Sequence, residues 1–261
     1  ITLNFHLKLE DSLVQDSDAY VTVTFAGKSV DKPISELAIQ DGCYVVPAPV
    51  AAAQMTMPIT VQVFDGAGNG GTIYSQSVQA YAQKLLQTAD EQTANLVKAM
   101  LNFGGKAQTY FDYNTGNRAD AGITVADQAI PAVMDPQIFG NMVNRINFYG
   151  ATLVFRNMTA IRFYFNAPNG VKDITFQVGQ QQYTPVEKDG LYYVEIADIS
   201  PNKLNDTYTV TVSNGTDSYQ VSYSAMCYIT RMYNKSNSEN LKNVLQAMYN
   251  YYIAAVEYVA Q

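Results

Sequence analysis

Side chains able to do chemistry are few in this chain and lie far apart. It has one histidine, His6, and two cysteines, Cys43 and Cys227. A structural or catalytic zinc takes three or four His, Cys or carboxylate ligands, so this set makes no zinc site of the usual kind. His6 stands in LNFHLKL between Phe5 and Leu7. No serine, cysteine or carboxylate pattern nearby would make it a general base, so a structural histidine is expected. The acids that come closest to a pair are Glu187, Asp189, Glu195 and Asp198. Glycoside hydrolysis needs two carboxyls roughly 5–10 Å apart across a cleft. Glu187 and Asp189 flank a turn, and Glu195 alternates with Val194 and Ile196 as a solvated strand residue does.

The loop DGAGNGG, Asp65 to Gly71, is rich in glycine. It leads from one strand into another, whereas a phosphate cradle opens a helix, so it reads as a hairpin loop. Asp65 and Asn69 could face a calcium ion, but one carboxylate is thin for an ion that takes about six to eight oxygens. Lys8, Lys28 and Lys172 sit on or beside strands, where a Lys–Asn cross-link would be conceivable, yet no motif defines one. The residue types therefore predict no catalytic residue, no metal and no cofactor.

Tyrosine is the remaining resource, with 20 in the chain and no tryptophan. Exposed aromatic faces can hold sugar rings or protein partners. Tyr192 and Tyr193 are adjacent on a strand and must point to opposite faces, which leaves one of them outward. Tyr219 lies on a later strand, and Tyr249 and Tyr252 fall off the apolar stripe of the last helix. These five are the predicted ligand-binding residues, although core or boundary packing is the more ordinary role for any single one of them.

The elements that position these residues are written twice. DGCY at Asp41 returns as DGLY at Asp189, TVQV at Thr60 as TVTV at Thr209, and Ala99-Met100 as Ala247-Met248. SQSVQAYAQ around Ser77 answers SYSAMCYIT around Ser224. Four blocks in one order at a nearly constant spacing imply two related modules. Each opens with short alternating strands, such as ITLNFHLKL and IRFYFN, separated by Asp-Gly, Asn-Gly and Pro signals. Each ends with two helices. The stripe Leu96, Ala99, Met100, Phe103, Ala107, Tyr110, Phe111 is matched by Val244, Ala247, Met248, Tyr251, Ala255, Tyr258, Val259. Thr93 and Ser238 are the expected N-caps. The predicted fold is mainly β with α: two tandem antiparallel β-sandwiches, immunoglobulin- or fibronectin type III-like, each closed by a C-terminal helix pair.

The predicted boundaries are 1–117 and 150–261. Between them, 118–149 is too apolar for a free linker and reads as an ordered connector across both modules, with a short helix near 136–144. Gly104-Gly105, inside the first long helix, marks a close approach or kink at the junction of the modules. The cysteines fall at unequal points of the repeat, so two buried free thiols are expected.

Net charge is −7 and only 15% of residues are charged. An acidic chain repels phosphate backbones, so nucleic acid is an unsuitable partner. No stretch approaches the roughly 18 apolar residues of a membrane span. The chain begins at Ile1 without a Met. That implies a processed product or a piece of a longer protein whose flanks would carry any signal or anchor.

The segment LVKAMLNFGGKAQTYFDYNTGNRADAGI, Leu96 to Ile123, with SVQAYAQKLL and LYYVEI, resembles modules of large surface and secreted proteins of anaerobic Gram-positive gut bacteria. The resemblance covers most of the chain and concerns architecture more than activity. It implies an extracellular, non-catalytic module for adhesion or scaffolding, with a protein or polysaccharide partner at the cell surface. The alternatives are a carbohydrate-binding module using exposed tyrosines, or an accessory region of a glycan-active enzyme.

Overall fold

Asp41-Gly42 has φ of 50° and 72°, and Asp189-Gly190 has φ of 52° and 77°. Two consecutive left-handed residues make the tight turn that matches strand twist, and glycine in second place adopts it without strain. Each pair therefore folds a hairpin at the same point of the repeat, closed by Gln40 opposite Cys43 and by Lys188 opposite Leu191.

The computed structural model describes residues 1–156 and 158–260. They divide into two compact units, Ile1–Thr124 and Val125–Gln261. Residues 118–124 of the expected connector thus belong to the first unit and 125–149 to the second.

In the first unit the elements are β1 (Thr2–Leu7), α1 (Asp11–Gln15), β2 (Tyr20–Phe25), β3 (Lys28–Pro33), β4 (Ala38–Gln40), β5 (Cys43–Pro49), β6 (Ile59–Phe64), β7 (Gly70–Gln76), α2 (Val78–Leu85) and α3 (Glu91–Tyr110). One sheet has the order β1-β5-β4 and the other β3-β2-β6-β7. The second unit contains β8 (Gln137–Gly140), β9 (Asn147–Phe155), β10 (Thr159–Asn166), β11 (Thr175–Val178), β12 (Gln181–Tyr183), β13 (Val186–Lys188), β14 (Leu191–Ile196), β15 (Tyr208–Ser213), β16 (Ser218–Tyr223), α4 (Ala225–Lys235) and α5 (Glu239–Val259). Its sheets run β13-β14-β10-β9 and β12-β11-β15-β16-β8. All pairings among the described residues are antiparallel, and no sheet closes into a barrel.

Setting β10–β16 against β1–β7 reproduces the neighbours of every strand in both sheets. The registers agree as well: Leu3 opposes Ala48 and Phe5 opposes Val46, as Ile161 opposes Ile196 and Phe163 opposes Val194. The second unit differs by two additions, β9 outside β10 and β8 outside β16. The helix expected near 136–144 is in fact β8. Ile138 and Phe139 extend the edge of β16, and Gly140 ends the strand at φ +83°.

Both long helices follow a shorter one and pack against a one-turn 3-10 segment, α3 on Ala52–Gln54 and α5 on Pro201–Lys203. Side-chain oxygens of Ser77, Asp90, Ser224 and Ser238 cap α2, α3, α4 and α5 by accepting backbone N–H bonds. Ser238 caps α5 as expected, accepting the Leu241 N–H. At α3 the cap is Asp90, and Thr93 supplies the amide that Asp90 accepts at 2.8 Å. Ala99, Phe103 and Ala107 of the expected stripe are buried, and Val97, Leu101, Gly104, Gly105 and Gln108 widen that face, whereas Phe111 is 46% exposed. Tyr258 and Val259 at the end of α5 are exposed in the same way.

Buried amides latch the chain beside each long helix. Gln108, 0% exposed, donates to the Asn117 carbonyl at 2.9 Å and accepts from Ala119 N–H at 2.7 Å. In the second unit Asn250 accepts from Gln128 N–H at 3.0 Å and donates to Asp127 at 3.1 Å, and Gln246 donates to the Gln128 carbonyl at 2.8 Å. Buried backbone groups need such partners, which is why these polar side chains sit inside. The Gly104-Gly105 pair packs within its own unit, against Met55, Ala119 and Asp120.

Candidate functional site

Two surfaces combine exposure with organised chemistry, one in each unit. The first is the outer face of the sheet β13-β14-β10-β9. On β14, Val194 and Ile196 are buried, so alternation turns Tyr193 and Glu195 outward. On β10, Ile161, Phe163 and Phe165 are fully buried, and Arg162 and Tyr164 turn outward beside them. Register aligns Tyr193 with Tyr164 and Glu195 with Arg162. The two tyrosine rings lie 5.5 Å apart, and the Arg162 guanidinium lies 4.5 Å from the centre of the Tyr193 ring. Arg162 Nε also donates to Glu195 at 2.6 Å, while Arg156 approaches the other oxygen of Glu195 at 3.8 Å. The row is flanked by Val186 opposite Tyr193 and by Gly150 opposite Tyr164, and Tyr149 beside Gly150 is 71% exposed. Charge and cation–π contact fix the orientation of the rings, and the glycine leaves room above Tyr164.

The five sequence-selected tyrosines scatter over this unit. Tyr193 belongs to the row. Tyr192 faces the other way, and its hydroxyl donates to Glu187 at 3.4 Å. Tyr249 and Tyr252 are half-buried on α5, with rings 6.0 Å apart. Tyr219 is a correction: it is 4% exposed, and its hydroxyl accepts the Phe148 N–H at 3.2 Å, so it packs the interior and offers no face to a ligand. Tyr149, Tyr164 and Arg162 were not singled out from the sequence. The signal was there, because Arg162 and Tyr164 alternate with three apolar residues in IRFYF. Their alignment with Tyr193 needed the strand pairing.

The second surface is a seam in the first unit between β1 and β7. A cavity of about 650 Å³ is lined by Phe5, Leu7, Leu9, Leu13 and Tyr74, and a second of about 300 Å³ continues it past Leu3 and Tyr81. His6 is exposed along it. At one end a cavity of about 470 Å³ is bordered by Glu10, Asp16 and Asp65. Asp65 accepts both the N–H and the side-chain amide of Asn69, at 2.7 and 2.8 Å, and these bonds hold its carboxyl below the ordinary carboxylate range. Asp16 ties the same loop by accepting Gly66 N–H at 2.7 Å. The DGAGNGG hairpin is therefore pinned by its own acids.

The other sequence-level suspects have local roles. Glu195 is neutralised by two arginines. Asp189 and Asp198 adopt left-handed φ at turns. Cys227 is buried under a Ser224 hydroxyl that donates to its sulfur at 3.2 Å, whereas Cys43 is only half-buried; both are free thiols. Lys8, Lys28 and Lys172 are exposed. No helix among the described residues is long and apolar enough to cross a membrane.

Two tyrosines give the second unit a measurable pH response. Burial pushes the Tyr223 hydroxyl well above its ordinary range, and withdrawal from water pushes Tyr251 up to about 12. An unfolded tyrosine ionises near 10, so between about pH 10 and 12 the unfolded chain has lost protons that the folded chain keeps. Stability is then complete below pH 10 and falls by about 1.4 kcal/mol per pH unit for each such group above it. Urea unfolding at pH 9 and pH 11.5 checks this. The Tyr251→Phe chain is expected to fall less steeply, and an unchanged slope refutes the assignment.

No protein-family model matches the chain, and no curated protein matches it.

Proposed function

We propose that the chain is a non-catalytic tandem module for adhesion or scaffolding at a bacterial cell surface, and that it binds its partner through the outward row Val186–Tyr193–Tyr164–Tyr149. Each unit is read as an antiparallel sandwich of immunoglobulin connectivity, closed by its helix pair. Strand order supports this. With β9–β16 lettered A, B, C, C′, D, E, F, G, the sheets of the second unit read A-B-E-D and C′-C-F-G, the latter with β8 added outside G. The first unit has the same order without A.

The aromatic row carries the functional reading. Tyr164, Tyr193 and Val186 on one sheet face, held by an arginine and a glutamate and with Tyr149 exposed where the register of β9 shifts beside them, make a rigid apolar patch with hydrogen-bonding groups at its border. A sheet face turned to water alone is better served by polar residues, so an organised patch of this kind marks a place of contact. A second reading draws on the same face. Flat tyrosines beside a paired Arg–Glu also suit the apolar face and hydroxyls of a sugar ring, which is the chemistry of a carbohydrate-binding module.

One experiment tests both. The full chain and its Tyr164→Ala/Tyr193→Ala variant are applied to arrays of plant and mucin polysaccharides and to immobilised surface proteins. Binding to either class that falls at least tenfold in the variant supports the row as the site, and the class decides between the readings. Binding that the double substitution leaves unchanged sinks it.

A further inference from the structure

We propose that the outward face of β13, β14 and β10 is a site for an acidic polysaccharide, a chain of uronate sugars whose rings lie along the aromatic row while their carboxylates meet Arg156 on one side and Lys188 on the other. The inference rests on the row being the binding surface and adds the chemical class of its occupant.

The first unit shows that strand pairing alone does not call for the row. Its β1–β5 pair has the register of β10–β14, and the inward positions correspond. Phe5 opposite Val46 answers Phe163 opposite Val194, and Leu3 opposite Ala48 answers Ile161 opposite Ile196. The outward positions between them differ in kind. Where the second unit sets Tyr164 against Tyr193, the first sets His6 against Val45. Where the second sets Arg162 against Glu195, the first sets Asn4 against Pro47. The same pairing therefore forms without the tyrosine pair and without the ion pair. Both are additions to the outer face, where water is the alternative partner.

Charge selects the class of ligand. Arg162 turns outward between buried Ile161 and Phe163, and Lys188 shares the outer face with Val186, two residues before it on β13. Arg156, just beyond β9, reaches the same face, where its Nη1 lies 3.8 Å from Glu195. Glu195 is the one carboxylate among the described residues of these rows, and Arg162 engages it at 2.6 Å. Glu187 stands opposite Tyr192 and faces the other way, and Asp189 and Asp198 lie beyond the two ends of β14. Three cations against one acid leave the face positive in a chain that has 16 Lys and Arg against 23 Asp and Glu. A local reversal of the overall sign draws an anion to this spot while the rest of the surface repels it.

The layout suits carboxylates carried on flat rings. Tyr193 pairs with Val186 and Tyr164, Glu195 with Arg162, and Leu191 with Lys188. Lys188 and the Arg162–Glu195–Arg156 cluster therefore flank the aromatic row on opposite sides, each about 7 Å along the strands from it. The C–H face of a pyranose ring is apolar and can lie on Tyr193, Tyr164 and Tyr149, the last 71% exposed. A carboxylate at the rim of that ring then reaches a cation. Arg162 holds the platform, because it is committed to Glu195 and to the Tyr193 ring at 4.5 Å. Arg156, with 59% of its side chain exposed, keeps N–H donors for an incoming carboxylate, and a guanidinium takes one in two parallel bonds. A neutral glycan would leave Arg156 and Lys188 without a role. An acidic peptide carries its carboxylates on flexible stems that must be ordered on binding, whereas a uronate carries face and charge on one rigid ring.

The test titrates the full chain with polygalacturonate and with the same polymer after methyl esterification of its carboxyls, which keeps the rings and removes the charge. Saturable binding to the acid form is expected, at least tenfold tighter than to the ester and weakened by added salt. Arg156→Gln/Lys188→Gln changes two exposed side chains and is expected to weaken binding of the acid form at least tenfold. Lys28→Gln, at an exposed cation of the first unit, is expected to leave it unchanged. Tyr164→Ala/Tyr193→Ala is expected to weaken both polymers. An ester bound as tightly as the acid overturns the inference and leaves the row as the site. Absent binding, or binding of the acid form indifferent to Arg156→Gln/Lys188→Gln, overturns it as well. Loss in that variant with none in the tyrosine variant overturns the row together with the inference. Polyglutamate bound as tightly as polygalacturonate assigns the face to acidic peptides and overturns the polysaccharide.

Discussion

Gly105→Ala is expected to destabilise the first unit by about 3–5 kcal/mol, against the sign of helix propensity. In an exposed helix interior the same change gains about 1 kcal/mol. Here the added methyl falls on the carboxyl group of Asp120. That carboxylate is 6% exposed, with Arg118 Nε at 3.2 Å and Lys106 Nζ at 3.9 Å. To make room it must leave both cations or carry its loop outward. The loop is held, because Ala119 N–H donates to Gln108 at 2.7 Å and the Gln108 amide donates to the Asn117 carbonyl. A buried charge is costly to strand and a latched loop is costly to move, so neither escape is cheap. At Gly104 a methyl would meet the Met55 sulfur at 2.6 Å, on a flexible side chain, and Ala119 Cβ at 3.1 Å. Gly104→Ala is therefore expected to cost less, about 1–2 kcal/mol. Denaturant unfolding of the full chain, with hydrogen exchange across α3 to locate the loss, measures both. A Gly105→Ala chain as stable as its parent would show that the Asp120 loop is not latched.

The glycine pair also shows how far the sequence could be read. That two glycines inside a helix signal a close approach follows from residue type. What approaches does not: the partner comes from the same unit, fifteen residues on, through a loop whose folding depends on a buried glutamine. The strand order shared by the two units was legible because core positions and Asp-Gly turns keep their spacing from one unit to the other. β8 was not, because four residues with only Ile138 and Phe139 large and apolar have no period of their own and become a strand only where β16 offers an edge. Tyr219 looked like Tyr193 in sequence. One faces the interior and the other the solvent, and only the burial of their alternating neighbours tells them apart. The outer row on β10 and β14 is a product of register, which no single strand encodes.

A matched pair of substitutions is expected to show what β9 does for its unit. Phe163 and Phe5 occupy the same register position, opposite Val194 and Val46. Phe163→Ala is expected to cost about 3–5 kcal/mol, since it removes a 0% exposed ring that packs against Phe148 and Tyr223 at 6.3 and 6.1 Å. Phe148 and Tyr223 would then line a void that close-packed neighbours cannot collapse into. Phe5→Ala is expected to cost less, about 1–2 kcal/mol, because its ring already borders an open seam and part of its transfer free energy is unrealised. Chemical unfolding of both variants, with exchange at β10 and β1 to assign each loss to its unit, gives the difference. Two equal costs would mean that the first unit is packed as tightly around Phe5 as the second is around Phe163. A gap of about 2 kcal/mol or more measures how much one added strand and its inserted ring contribute where they are present.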